Sequence, residues 1–104
     1  MSIFTKIIQG EIPGEIIYQT KDIFVIKDIK PKAKTHLLII PQKEIPTIND
    51  LQESDASILS EMFFIAKKLA KQLWIEEGYK LQFNVWEKGG QEIMHIHLHL
   101  LSDI

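Results

Sequence analysis

Residues 94–101 read MHIHLHLL, with histidines at 95, 97 and 99 and an aliphatic residue between each and the next. No other stretch limits the fold so much. In an extended strand successive side chains point to opposite faces, so this period of two predicts a strand with two unlike faces. Met94, Ile96, Leu98 and Leu100 form an apolar face that needs a core to cover it. His95, His97 and His99 line the other face together. Such a strand belongs in a sheet packed on one side and carrying a site on the other.

The rest of the hydropathy pattern supplies the sheet and its cover. In SIFTKIIQ (2–9), Ile3, Phe4, Ile7 and Ile8 fall at helical spacing and predict a short helix, which Gly10, Pro13 and Gly14 interrupt. EIIYQT (15–20) and DIFVIKDI (22–29) read as two strands joined tightly at Lys21. THLLIIP (35–41) is aliphatic enough for a strand buried on both faces. KLQFNVW (80–86) and IMHIHLHLL (93–101) complete five strands, with EKGGQ (87–91) as the turn between them.

Between the third and fourth strands, Ile58, Met62, Ile65, Ala66, Leu69 and Leu73 recur with a period of 3.6 and predict a long helix over roughly 54–75. Asp50 and Glu53 have capping-box spacing before it, and Gly78 is expected to end it. Leu59, Phe63, Phe64, Ala70 and Trp74 widen the apolar stripe, and the surplus predicts a subunit interface. The expected class is α+β: a five-stranded antiparallel sheet with one long helix and one short N-terminal helix. The sheet is expected to extend across a dimer.

Length and charge narrow the function. The 104 residues suit one domain, 1–104. A net charge of −2 offers no global attraction for nucleic acid or an anionic membrane, so a phosphate ligand must be drawn locally. The chain has no cysteine, which excludes disulfides and thiolate metal sites. No signal-peptide pattern opens it, and no run of about 20 apolar residues could span a bilayer. The expectation is a cytoplasmic protein that binds neither nucleic acid nor membrane.

Three in-register histidines admit three readings. A metal is one: neighbours two apart on a strand start about 6.6 Å apart and can lean onto one ion, whereas His95 and His99 start about 13 Å apart. A His-x-His pair would therefore need a further ligand, with His36, Asp28, Glu87 and Glu92 as candidates. Nucleophilic catalysis is the second: a neutral imidazole can attack phosphorus, and a flanking imidazole can hold a tautomer or donate a proton. The third is a set of half-buried strand residues with no chemistry.

His95-Ile96-His97-Leu98-His99-Leu100-Leu101 resembles the histidine-triad (HIT) motif, in which histidines alternate with hydrophobic residues. The likeness extends to IFTKIIQGEIP (3–13), KDIKPKAKTHLLIIPQKEI (27–45) and NVWEKGGQEIMH (84–95), in the family's order. The opening block, Asn84 and Gly-Gly-Gln are similar to the Hint branch. The resemblance implies a homodimeric purine nucleoside phosphoramidate hydrolase that needs no cofactor. It also implies roles: His97 as nucleophile, His99 on the phosphate, the His95 carbonyl orienting His97, and His36 in a proton relay. Asp28 would bind the ribose hydroxyls. Phe4, Ile7, Ile12 and Ile29 would surround the base, and Asn84 and the Gly90 backbone would lie near the phosphate or leaving group. Two other functions stay open: a Fhit-like dinucleoside polyphosphate hydrolase, and a nucleotide-binding regulatory dimer with little turnover.

The chain departs from the family in places. Where some members bind structural zinc through Cys-x-x-Cys and a histidine, it has Ser2, Thr5 and Glu44, so no zinc of that kind is expected. Glu92 stands where Hint proteins often have serine. A carboxylate there cannot donate to phosphate but would favour a cationic amine leaving group. Lys30, Lys32 and Lys34 precede His36 and read as a solvated loop, with attraction of a phosphate as the alternative.

Overall fold

The histidine strand lies inside the sheet, between the strand that precedes it in sequence and one far from it. The structure, a computed structural model, describes residues 1–104. Its elements are α1 (Ile3–Ile8), β1 (Ile16–Gln19), β2 (Ile23–Lys27), β3 (Thr35–Pro41), α2 (Ala56–Gln72), β4 (Lys80–Gln82) and β5 (Leu98–Ser102). The spatial order is β1-β2-β3-β5-β4, and every neighbouring pair is antiparallel. No helix is long and apolar enough to cross a membrane.

Strand alternation divides the core in two. Ile23 and Val25 of β2, Leu37 and Ile39 of β3, and Leu98 and Leu100 of β5 share the core beneath α2 with Met62, Ile65, Ala66, Leu69 and Ala70. Phe24, Ile26, Leu38 and Ile40 belong to the opposite face, where Phe4 of α1 joins them. A six-residue helix is unstable alone, so α1 depends on burying Phe4, which is 2% exposed. It covers only part of that face.

Several boundaries differ from the sequence pattern for identifiable reasons. β5 begins at Leu98, not at residue 93. Gln42 N–H donates to the Asp22 carbonyl across β2, so alternation turns the Pro41 backbone toward β5. Proline has no N–H to continue that ladder, and pairing stops at Ile39 with Leu98. Met94 consequently leaves the apolar face and is 40% exposed. β4 ends at Gln82 because the chain curls beyond it, with Trp86 at φ 66° and the Asn84 side chain donating to the Gly89 carbonyl at 2.9 Å.

The start of α2 also differs. Asp50 is not the cap of a box with Glu53; it is the third residue of a box opened by Thr47. A second short turn, in which Asp55 caps Gln52, then leads into Ala56. At the other end Gly78 plays no capping part. Trp74 takes the left-handed conformation, φ 61°. Trp74 N–H bonds to Lys71 O at 3.2 Å and Ile75 N–H to Ala70 O at 3.0 Å, which is a Schellman closure. Burial of Ile75, 3% exposed, gives the reason for closing there without glycine. Of the residues that widen the stripe, Ala70 is core, whereas Phe63, Phe64 and Trp74 are exposed. Leu73, expected on the core stripe, is 42% exposed.

A left-handed L-residue costs roughly 1–2 kcal/mol, and the Trp74 side chain is 87% exposed. Trp74→Gly is expected to raise stability by about 1 kcal/mol, read as a higher urea midpoint at unchanged m-value and fixed protein concentration.

Candidate active site

The open part of the α1-side face is where the histidines meet. β3 and β5 place Leu38 opposite His99, so His36, two residues earlier, shares a face with His99 as its diagonal neighbour. The rings of His36 and His99 are 5.2 Å apart, and those of His97 and His99 are 5.0 Å apart. Phe4 stands edge-on to His97 at 5.1 Å and to His95 at 5.6 Å. Asp28, just beyond β2, turns its Oδ2 to within 3.5 Å of His36 Nε2, while its Oδ1 accepts the Lys30 N–H at 2.8 Å.

The histidines are not presented together as the strand period suggested. His95 is fully buried. Its Nε2 lies 2.7 Å from the Pro41 carbonyl and its Nδ1 lies 2.5 Å from Ser2 Oγ. His97 retains 8% exposure, and His99 is half-buried. The early end of β5 explains the gradient, because His95 has left the ladder and turned its ring onto the carbonyl that the ladder freed.

Burial lowers the proton affinity of all four histidines. It is the largest influence on His36, where Asp28 opposes it, and on His95, where the bond to Pro41 opposes it. His97 is lowered by burial against the His95 carbonyl and the carboxylates of Asp28 and Glu92. His99 is pushed down to about 4 by burial first, then by His97 and His36.

Neutral imidazoles carry one proton each, and the hydrogen bonds assign them. A carbonyl only accepts, so His97 donates Nδ1–H to the His95 carbonyl at 2.8 Å, and His97 Nε2 is left with a lone pair. His95 donates Nε2–H to Pro41, and its Nδ1 accepts from Ser2. The Lys32 backbone N–H donates to His36 Nδ1 at 3.1 Å. His36 therefore holds its proton on Nε2 and offers it to His99 Nδ1 at 2.9 Å. His99 in turn carries Nε2–H. A bare nitrogen on His97 thus stands beside an N–H donor on His99, which suits attack on an electrophile whose oxygens the N–H can hold.

Asp28, His36 and His99 also converge closely enough to hold a cation. The Lys32 N–H works against that. It occupies the His36 Nδ1 lone pair and keeps a proton on Nε2, the nitrogen an ion would need.

A family model described as scavenger mRNA decapping enzyme C-term binding matches residues 1–104. Purine nucleoside phosphoramidase of Escherichia coli strain K12 is 48% identical over 102 residues, covering 97% of this chain and 86% of that protein. An uncharacterised HIT-like protein of Buchnera aphidicola is 52% identical, covering 97% of this chain and 90% of that protein. A HIT family hydrolase of Legionella pneumophila Philadelphia 1, known from its crystal structure, superposes with a TM-score of 0.96 at 50% identity, covering 100% of this chain and 94% of that one. The chain belongs to the histidine-triad family.

The remaining residues implied by the histidine-triad resemblance are less tightly grouped. Ile7 packs beside Phe4 against the α1-side core. Ile12 is half-buried, and Ile29 is almost fully exposed beside Asp28. Asn84 and Gly90 meet each other: a Cβ on Gly90, at φ 90°, would come within 3.1 Å of Asn84 Nδ2. The Asn84 side chain bonds to Gly89 and Gln82 and to no histidine.

Three further groups take parts that the sequence pattern did not assign to them. Buried Gln91 braces the 87–94 turn, donating to Pro46 O at 2.6 Å and Ile93 O at 3.0 Å and accepting from Trp86 N at 2.8 Å. The Lys32 amide and the Pro41 carbonyl act through backbone, which side-chain motifs do not reveal. Ser2, Thr5 and Glu44, where zinc-binding relatives carry ligands, gather around His95 through hydrogen bonds.

The lowered pKa of His99 has a defined sign for stability. Between its ordinary value of 6.5 and about 4 the unfolded chain binds a proton that the folded protein refuses, so stability falls as pH falls through that window. Urea midpoints are expected to drop from pH 7 to pH 5, and the His99 Cε1–H NMR shift is expected to titrate near 4.

Proposed function

We propose that this protein hydrolyses purine nucleoside phosphoramidates through a nucleotidyl intermediate on His97. The carrying observation is the His97 Nδ1–H bond to the His95 carbonyl, which leaves Nε2 bare and aimed by a fixed ring. Nε2 attacks the α-phosphorus as the bond from phosphorus to the amine nitrogen breaks. His99 Nε2–H donates a hydrogen bond to a phosphate oxygen, and the departing nitrogen takes its proton from solvent. Water then cleaves the His97–phosphorus bond, giving its OH to phosphorus and its other hydrogen to solvent. The products are the nucleoside monophosphate and the free amine. The His36–His99 bond holds His99 in the tautomer this requires.

Asp28, beside His36, is a natural acceptor for a ribose diol. Phe4, Ile7, Ile12 and Ile29 supply apolar contacts for a purine, and Asn84 with the Gly90 backbone borders the leaving-group side. A cleft of about 560 Å³ runs along that turn, lined by Glu87, Gly90, Gln91, Glu92 and Met94. Its two carboxylates favour an amine over a polyphosphate. The E. coli relative named purine nucleoside phosphoramidase supports the substrate class. The absence of cysteine fits residence in the reducing cytoplasm.

The test is AMP release from adenosine 5′-phosphoramidate in excess EDTA. Release is expected to persist in chelator and to fall more than about a thousandfold in His97→Ala, and denaturing mass spectrometry of quenched wild type is expected to show an AMP adduct. Faster turnover of a diadenosine polyphosphate would shift the reading to that substrate class. AMP binding without turnover of either would leave a regulatory binder.

A homodimer is part of the same proposal. β4 is an edge strand, paired only with β5. Phe83 beyond its end packs edge-on to Phe63 at 6.2 Å, with Phe64 exposed next to Phe63. A second copy added along β4 would continue the sheet and cover these rings. Phe64→Glu is expected to shift the protein from dimer to monomer in sedimentation velocity, and a wild-type monomer at micromolar concentration would refute the interface.

A further inference from the structure

The mechanism above uses the His95 carbonyl and leaves the His95 side chain without a task. Yet both nitrogens of that ring are bonded. Its Nε2–H is held by Pro41 O at 2.7 Å and its Nδ1 by Ser2 Oγ at 2.5 Å. Ser2 is not free to turn elsewhere. Its Oγ accepts the Thr5 N–H at 3.2 Å, and its backbone N–H donates to Glu44 Oε1 at 2.5 Å. The same Oε1 accepts the Thr5 hydroxyl, also at 2.5 Å. These bonds hold the Glu44 carboxyl well below the usual carboxylate range, with Thr5 the larger influence and Ser2 the next. Glu44 is therefore acceptor-only, and it takes the Thr5 hydroxyl proton. The Ser2 hydroxyl proton is then directed to His95.

We propose that Glu44, Thr5 and Ser2 form a positioning network that fixes the ring and tautomer of His95, and through its backbone carbonyl the aim of His97. The proposal rests on His97 being the nucleophile. The chain of contacts is continuous: Glu44 gathers the start of α1, Ser2 locks His95 Nδ1, Pro41 locks His95 Nε2, and the His95 carbonyl takes His97 Nδ1–H at 2.8 Å. Phe4 follows from the same anchor, since α1 carries it against both rings. His95 lies outside the β5 ladder, so strand pairing does not hold its carbonyl in place. The peptide that carries it is held on one side by Ile96 N–H, which donates to the Ile45 carbonyl at 2.8 Å, and on the ring side by the side-chain bonds of His95. A displaced carbonyl would release the His97 ring, and small misplacements of a reacting group cost up to about a hundredfold in rate.

The obvious variant, Ser2→Ala, would also remove the N-cap of α1. Ser2→Gly is the better probe, because glycine is tolerated at an N-cap at a cost of a few tenths of a kcal/mol while the hydroxyl is lost. Ser2→Thr keeps both. Glu44→Leu removes the acceptor, and Glu44→Gln retains an acceptor oxygen. Two readouts apply: kcat and KM for AMP release from adenosine 5′-phosphoramidate, and long-range ¹H–¹⁵N NMR of the histidine rings at pH 7. Ser2→Gly and Glu44→Leu are expected to lower kcat about tenfold or more with KM little changed, and to turn His95 from a pure Nε2–H ring into a tautomer mixture. Ser2→Thr and Glu44→Gln are expected to restore both readouts. Ser2→Gly with wild-type kcat and an unchanged His95 spectrum would overturn the proposal. So would a loss of kcat matched by equal losses in AMP affinity and melting temperature with the tautomer intact, which is the behaviour of a fold brace. Should wild type turn over no phosphoramidate, the hydrolase reading fails, while the NMR comparison still decides the network.

Discussion

The pairing of β3 with β5, and its arrest at Pro41, sets the geometry on which the site depends. Antiparallel pairing carries Thr35 through Ile39 alongside Ser102 through Leu98. It brings His36 diagonally onto His99 and buries Leu98 and Leu100 under α2. One residue type then breaks the ladder. Pro41 presents a carbonyl without an N–H toward β5, and that carbonyl captures the His95 ring. The chain before Leu98 is freed from strand geometry, which lets the His95 backbone oxygen swing to His97 Nδ1. A continuous strand would have engaged that oxygen in the sheet or aimed it along the ladder.

Four imidazoles share a small volume, and they can do so only uncharged. Burial in a poorly solvated space penalises the charged form of each ring. His99, flanked by His97 and His36, is lowered by their charges as well. Neutrality has a second effect, because a neutral ring has one donor and one acceptor and must choose. The fixed partners are all backbone groups that cannot switch roles: the Lys32 amide, the Pro41 carbonyl and the His95 carbonyl. Those three choices propagate to every ring nitrogen. Backbone groups thus bias which nitrogen of each ring is bare and which is protonated, and side chains complete the choice, Ser2 doing so at His95.

The sequence revealed the parts of this that depend on periodicity. Alternation in MHIHLHLL placed Leu98 and Leu100 in the core and His99 opposite them, and the 3.6 period of 58–69 marked the face of α2 that packs on the sheet. The sheet, its strand count and both helices follow from such patterns. What stayed hidden involves local exceptions. Period two predicts His95 beside His97 on one open face, but the prediction fails where pairing ends, and proline at 41 was the available signal. Trp74 in a left-handed turn was illegible because glycine is the usual marker and burial of Ile75 overrode it. Asp50 has the spacing of a cap for α2, yet two short turns intervene, and Thr47 makes the same kind of box three residues earlier.

The two faces of the sheet meet different physical demands. Beneath α2 the cover is a seventeen-residue helix packed through apolar side chains. On the other face the cover is a six-residue helix that contributes one buried ring, Phe4, and leaves room for a ligand. So short a helix is unstable alone, and directional bonds from Ser2 and Thr5 to Glu44 and His95 add to the burial of Phe4 in holding it. The same bonds that fix the lid of the candidate base pocket thus end on the histidine whose carbonyl orients the proposed nucleophile. A change that breaks the Ser2–His95 contact therefore reaches the start of α1 and the support of the His97 ring together.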